Sequence, residues 1–150
     1  MPQFYLDTSA LLPYYHKETA SNTVQTFLET LDKPPTISAL TKVEFSSALA
    51  RWVRMRELQE TEANKIQQKF ELHLANGLYQ IHDLDQACFM LAERWMIQRT
   101  GVLRTLDALH LATSVQMDVI LVTCDKALAD AAQILSCRCL FLDHSQAISK

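Results

Sequence analysis

Four carboxylates carry the chemistry this sequence is able to do, and each falls where a helix is predicted to begin. Asp7 follows the apolar run Phe4-Tyr5-Leu6, Glu44 stands in Thr41-Lys42-Val43-Glu44, Asp107 in Arg104-Thr105-Leu106-Asp107, and Asp125 follows Val119-Ile120-Leu121-Val122-Thr123-Cys124. Helix starts in an open parallel sheet gather at one edge, where ligands bind. Carboxylates brought together there repel one another unless protons or cations intervene, and a hard divalent ion such as Mg²⁺ takes oxygen ligands readily. The four acids therefore predict a metal-dependent site. Each also has an ordinary alternative. Asp7 and Asp125 suit helix caps, Thr41 with Glu44 has the spacing of a capping box, and Asp107 complements a helix dipole. Capping alone is served as well by Ser, Thr or Asn, so acids at four starts favour the joint reading.

The elements that must position these acids alternate between short β-like runs and amphipathic helices. Strands are predicted at residues 4–6, 36–38, 78–81, 119–123 and 139–142. Helices are predicted at residues 11–15, 19–31, 40–55, 60–76, 83–99, 105–115 and 126–135, with Gly77 and Gly101 as stops. Strands alternating with helices predict a parallel sheet covered on both faces, and residues 40–76 a helical pair. No internal repeat, low-complexity tract or linker interrupts the pattern, and 150 residues suit one domain, taken here as residues 1–150.

Composition narrows the function. With 49% hydrophobic and 21% charged residues the chain reads as globular. It has no run of apolar residues long enough to span a membrane and no export-signal pattern, which predicts a cytoplasmic protein without a membrane partner. Cys88 and Cys124 lie in apolar runs, as free thiols do, and Cys137-Arg138-Cys139 lacks the spacing of a zinc knuckle. Neither glycine belongs to a phosphate-cradling loop, which argues against a nucleotide cofactor.

Read with their neighbours, the acids also resemble a known family. Asp7-Thr8-Ser9-Ala10-Leu11-Leu12 is similar to the opening of PIN-domain ribonucleases, Val43-Glu44-Phe45-Ser46-Ser47-Ala48-Leu49 fits their second motif, and Leu106-Asp107-Ala108-Leu109-His110-Leu111-Ala112-Thr113 and Leu121-Val122-Thr123-Cys124-Asp125-Lys126-Ala127-Leu128 resemble the later ones. The match runs in the family's order from Phe4 to Leu142, and the size resembles the small toxins of VapBC toxin-antitoxin pairs. The resemblance implies a three-layer α/β/α sandwich with a central parallel sheet and a protruding helical pair beside an acidic pocket. It further implies Mg²⁺- or Mn²⁺-dependent endonucleolytic cleavage of RNA, and a homodimer bound by a small antitoxin.

Phosphodiester hydrolysis needs a cation to offset transition-state charge and to lower the pKa of the attacking water. Asp7, Asp107 and Asp125 are assigned as metal ligands, and Glu44 as a further ligand or the group that orients water. Ser9 and Thr123 are supporting residues, since either hydroxyl is near enough in sequence to bond an acid, although helix amides and strand packing are their ordinary uses. His110 shares a helix face with Asp107, yet a lone His among Leu109, Leu111 and Ala112 is read as structural. Arg104, three residues before Asp107, could pair with that acid or reach an RNA phosphate, and is read as a surface ion pair. Tyr14, Tyr15 and His16 are read as packing residues in preference to base-stacking ones, as are Trp52 and Trp95. Lys42, Arg51, Arg54 and Arg56 offer a basic flank for RNA, or a solvated helix end. The net charge of −3 opposes RNA binding overall. Two bound divalent ions would reverse its sign, so placement of charge decides.

Two other classes remain. One is a non-catalytic RNA- or partner-binding module on the same fold. The other is a phosphatase using Asp7 as nucleophile, which ordinarily needs a second acid where Ser9 stands.

Overall fold

The computed structural model describes residues 2–143; Met1 and residues 144–150 lie outside it, so the expectation of one domain over 1–150 extends past the described residues. Five strands form one sheet: β1 (Phe4–Leu6), β2 (Thr36–Ser38), β3 (Gln80–His82), β4 (Ile120–Thr123) and β5 (Cys139–Phe141). Every pairing is parallel, in the order β3-β2-β1-β4-β5. Parallel neighbours need crossovers, and the helices supply them: α1 (Leu12–Tyr15), α2 (Ser21–Glu29), α3 (Ala39–Arg54), α4 (Glu60–Ala75), α5 (Gln86–Gln98), α6 (Thr105–Gln116) and α7 (Lys126–Ile134).

Strand alternation sorts the core into two layers. Leu6, Ile37 and Val122 face one way, against Leu11, Val24, Phe45, Leu49 and Phe70 from α2 to α4 and the turn before α1. Tyr5 and Leu121 face the other way, against Cys88, Trp95, Ala108, Leu111, Leu128 and Ala132 from α5, α6 and α7. Side chains alternate faces along a strand, so one three-residue strand feeds both cores. The result is the α/β/α sandwich, with β1 at its centre.

The helical pair is joined to the body by aromatic packing. Phe45 of α3 stacks on Phe70 of α4 at 4.1 Å between ring centroids, and Tyr15 meets both edge-on at 5.3 and 5.5 Å. The Tyr15 hydroxyl reaches His73 Nδ1 at 2.6 Å and the Tyr79 hydroxyl at 2.8 Å, and His16 stacks on Trp52 at 4.3 Å. Tyr15 and His16 thus serve packing. Arg51 and Arg54 lie exposed in the last turn of α3, where cations complement the helix dipole.

Three local expectations give way to tertiary structure. The capping box of α3 is Ser38 with Thr41, because β2 ends at Ser38; Thr41 with Glu44 does not form one, and Glu44 lies in the second turn, not at the helix start. Asp85, not Asp83, opens α5, accepting from the Cys88 amide at 3.0 Å. That helix closes on Arg99 in a left-handed conformation (φ 55°), two residues before Gly101.

Phe70 is 1% exposed at the junction of α4, α3 and Tyr15. Phe70→Ala is expected to cost about 3–5 kcal/mol of stability, from lost burial and the cavity left behind. Urea unfolding measures the loss, and amide hydrogen exchange should rise in α4 before it rises in β4. Equal acceleration of both elements would show that Phe70 does not anchor the pair.

Candidate active site

The chain leaves β1 towards β2 on one side, while β4 lies on the other, so the crevice beyond the carboxyl ends of β1 and β4 is the switch point where open α/β sheets place their ligands. Asp7 follows β1, Asp125 follows β4 by two residues, and Ser38 ends β2. Asp107 enters from the first turn of α6 and Glu44 from the second turn of α3.

Asp7 is 4% exposed, and a buried carboxylate needs hydrogen bonds to persist. Its Oδ1 accepts from Ser9 Oγ at 2.8 Å and the Ala10 amide at 3.1 Å, and its Oδ2 accepts from Thr123 Oγ1 at 2.8 Å. Ser9 Oγ in turn accepts from the Cys124 amide at 2.9 Å, and Thr123 Oγ1 from the Asp125 amide at 3.0 Å. Two hydroxyls therefore tie the segments after β1 and β4 to one carboxylate. Burial pushes the Asp7 carboxyl up to about 6, against the opposing pull of His110 and these hydrogen bonds. Where a phosphatase of that kind ordinarily has its second acid, Ser9 instead donates to Asp7 Oδ1.

Glu44 is held from two sides. Thr8 Oγ1 donates to its Oε1 at 2.7 Å, and the same oxygen makes a short contact with His110 Nε2. Burial raises the Glu44 carboxyl, but the His110 hydrogen bond and charge, with the Thr8 hydroxyl, outweigh it and hold the group below its ordinary range. His110 is 2% exposed, and its Nδ1 lies 2.7 Å from the Tyr5 hydroxyl, which donates to Ser38 Oγ at 2.7 Å. Since that single hydroxyl proton is given to Ser38, Nδ1–H of His110 donates to the tyrosine oxygen. The Nε2 lone pair can then face a carboxylate only with a proton between them. Burial holds the Tyr5 phenol well above its usual range, so it remains neutral. His110 and Tyr5 are the residues that sequence reasoning missed. A lone His in an apolar helix carries no local signal, and its link to Glu44 requires β1, α3 and α6 to be packed together.

Asp107 and Asp125 share one partner. Arg104 Nε bonds Asp107 Oδ2 at 3.1 Å, and its Nη2 bonds Asp125 Oδ2 at 3.0 Å. The sequence reading paired Arg104 with Asp107 alone; the structure adds Asp125. Burial raises the Asp107 carboxyl despite the guanidinium. Asp125 also caps α7, its Oδ1 accepting from the Ala127 amide at 2.9 Å. Each acid thus fills part of the local role expected of a cap or first-turn acid.

Asp7 with Ser9 and Thr123 therefore forms one hydrogen-bonded group, joined by the Asp125 amide to the Asp107–Arg104–Asp125 fork, and Glu44 with Thr8 and His110 forms another, with His110 acting electrostatically on Asp7, Glu44 and Asp107. As the side chains stand, no three of His, Cys, Asp or Glu among the described residues converge closely enough to chelate an ion. The donor set is nevertheless carboxylate and hydroxyl oxygen, the type Mg²⁺ and Mn²⁺ accept, and Asp107 and Asp125 already share a cation in Arg104. The donors fit a hard divalent ion. The cysteines are free, Cys88 is buried, and none contributes its thiol to these hydrogen bonds. Among the described residues no helix is long and apolar enough to cross a membrane.

Comparison with known proteins agrees with the fold. The family model described as "PIN domain" matches residues 4–134. FitAcB from Neisseria gonorrhoeae is similar in structure, with a TM-score of 0.74 and 17% identity over 92% of this chain and 96% of that one. VapBC2 from Rickettsia felis, solved bound to a DNA fragment from its promoter, has a TM-score of 0.68 and 14% identity over 93% and 98%. VapC20 from Mycobacterium tuberculosis, described as a sarcin-ricin loop cleaving toxin, has a TM-score of 0.69 and 13% identity over 86% and 95%. No curated protein sequence matches the chain. At these identities the structures establish the fold alone.

The Asp7 carboxyl, with an ordinary value of 3.8 and about 6 in the fold, holds more protons folded than unfolded between those limits, so stability falls as pH rises through them. The cost is absent below about pH 4 and complete above about pH 6, and amounts to about 3 kcal/mol. In EDTA, Asp7→Asn should therefore be about 2 kcal/mol more stable than the parent near pH 8 and lose that advantage near pH 4. Urea unfolding at both pH values checks this. A variant less stable than the parent near pH 8 would contradict the raised value.

Proposed function

Because the chain belongs to the PIN domain family, we propose that it is a metal-dependent endoribonuclease, one domain over residues 1–150, acting in the cytoplasm as the toxin of a VapBC-type pair. Asp7, Asp107 and Asp125 are the ligands of Mg²⁺ or Mn²⁺, and Glu44 is a further ligand or orients water. The observation that carries this reading is the linkage, beyond the carboxyl ends of β1 and β4, of buried Asp7 to Ser9 and Thr123 and of Asp107 to Asp125 through Arg104, with His110 acting on Asp7, Glu44 and Asp107.

A divalent ion held there would supply charge to offset the transition state and acidify the attacking water. The chain's own residues do the rest. Ser9 and Thr123 fix the plane of the Asp7 carboxylate from both oxygens, so the acid cannot rotate away from the crevice. Thr8 and His110 fix Glu44, leaving Oε2 available to hold a water. His110 shares a proton at Nε2 with Glu44, and Tyr5 fixes the ring from behind through Nδ1. Such fixed carboxylates need little rearrangement when charge develops.

A small antitoxin and a homodimer complete the reading. The antitoxin would lie along α3 and α4, with a basic side chain turned to the acids it would neutralise. For the homodimer, α5 exposes Phe89, Met90 and Ile97, apolar surface that a second copy would cover.

The test is incubation of purified protein with mixed single-stranded and transfer RNA in EDTA, Mg²⁺ or Mn²⁺. Discrete products that require metal are expected, with cleavage reduced about a hundredfold or more in Asp7→Asn and Asp107→Asn. Metal-dependent products that persist in both variants would remove the assigned residues. RNA bound but never cut, with metal bound, would leave the non-catalytic module as the better reading.

A further inference from the structure

We propose that Arg104 is a two-position substrate residue: in the metal-free protein it serves as the counter-ion of Asp107 and Asp125, and when a divalent ion takes those carboxylates it turns outward to hold an RNA phosphate. This rests on the nuclease reading above and concerns a residue that reading does not use.

Arg104 is the N-cap of α6, yet its side chain makes no capping hydrogen bond. A cation at a helix amino terminus also opposes the dipole. Its place is therefore unexplained by the helix it begins. What holds it is a fork: Nε on Asp107 Oδ2 at 3.1 Å and Nη2 on Asp125 Oδ2 at 3.0 Å, joining the starts of α6 and α7. Asp107 and Asp125 show no other side-chain ion pair among the described residues.

The fork is built to open. The Arg104 side chain is 72% exposed, whereas those of Asp107 and Asp125 are 17% and 26% exposed. Exposed ion pairs of this kind are weak and exchange readily. Rotation of the long side chain releases both acids without moving the backbone. A divalent ion concentrates twice the charge in a smaller volume and prefers the same oxygens, while the bound guanidinium repels it. Competition for two oxygens thus makes Arg104 an obstacle to the ion.

Once released, the guanidinium remains tethered at the rim of the same crevice, because its α-carbon is three residues from Asp107. Its planar donor fork then matches the oxygens of a phosphodiester. This also supplies a local positive group in a chain whose net charge is −3. One side chain would link ion entry to phosphate capture.

The test exploits opposite signs. Mn²⁺ affinity is measured by titration calorimetry on EDTA-stripped, dialysed protein, for the parent, Arg104→Ala, Arg104→Gln and Asp107→Asn. RNA affinity is measured with a fluorescein-labelled single-stranded RNA at Mn²⁺ shown by calorimetry to saturate each chain, with Glu44→Gln present in every chain to prevent cutting. Removing Arg104 should tighten Mn²⁺ binding about three- to tenfold. It should weaken RNA binding about three- to tenfold and lower the salt slope by about one. Both Arg104 variants should agree and retain the parent's circular dichroism spectrum. Mn²⁺ affinity that is unchanged or weaker, or RNA affinity that is unchanged, would overturn the proposal while leaving the nuclease reading intact, provided Asp107→Asn still loses Mn²⁺. Identical negligible Mn²⁺ binding by the parent and Asp107→Asn would overturn both.

Discussion

A carboxylate buried at the end of the central strand is the constraint around which this site is arranged. Asp7 is almost inaccessible to water, and an ionised group so placed is tolerated only if it is richly hydrogen-bonded. The chain meets that demand locally with Ser9 and the Ala10 amide, and across the sheet with Thr123. Those hydroxyls accept in turn from the Cys124 and Asp125 amides, so satisfying one acid also fixes the turn that presents the next. The cost left over is visible in a carboxyl pushed up to about 6, an investment that packing alone does not require.

The second half of the site hangs from the same strand in the opposite direction. Leu6 faces the α2 to α4 layer, while Tyr5 faces α6 and meets His110. Through that contact the phenol, the imidazole and Glu44 form one line, from Ser38 at the end of β2 to the second turn of α3. Tyr5 of β1 thereby bears, through His110 of α6, on Glu44 of α3. The aromatic cluster of Tyr15, Phe45 and Phe70 secures α3, and with it Glu44, from the far side. Fold stability and site geometry share these contacts.

Charge in this protein is a matter of position. The acids are drawn together beyond the sheet, whereas Arg51 and Arg54 lie at the end of α3, exposed. Arg104 is the exception, a cation seated on Asp107 and Asp125 although the helix it begins disfavours it. Arg104 thus gives the acidic crevice a counter-ion from its own chain.

Much of this was legible along the chain because it depends on near neighbours. The short run of residues 36–38 placed β2 to the residue, and hydrophobic spacing with Gly77 placed α3 and α4 within about a residue at each end. The order of strand and acid placed Asp7 and Asp125 at the sheet edge. Two caps were misplaced: the spacing of Thr41-x-x-Glu44 and the acid at Asp83 suggested them, whereas Ser38 with Thr41 and Asp85 form them. The end of β2 decided the first, and freed Glu44 from capping. His110 and the second partner of Arg104 had no local signature, since Tyr5 and His110 are 105 residues apart and Arg104 and Asp125 are 21 apart. The sequence by itself determined the elements, their alternation and the acids at their ends, because helix caps and strand periodicity act over a few residues. Only the tertiary structure decided which acid is buried, which shares a proton and which shares a cation, because desolvation and pairing depend on groups that the sheet brings together from distant parts of the chain.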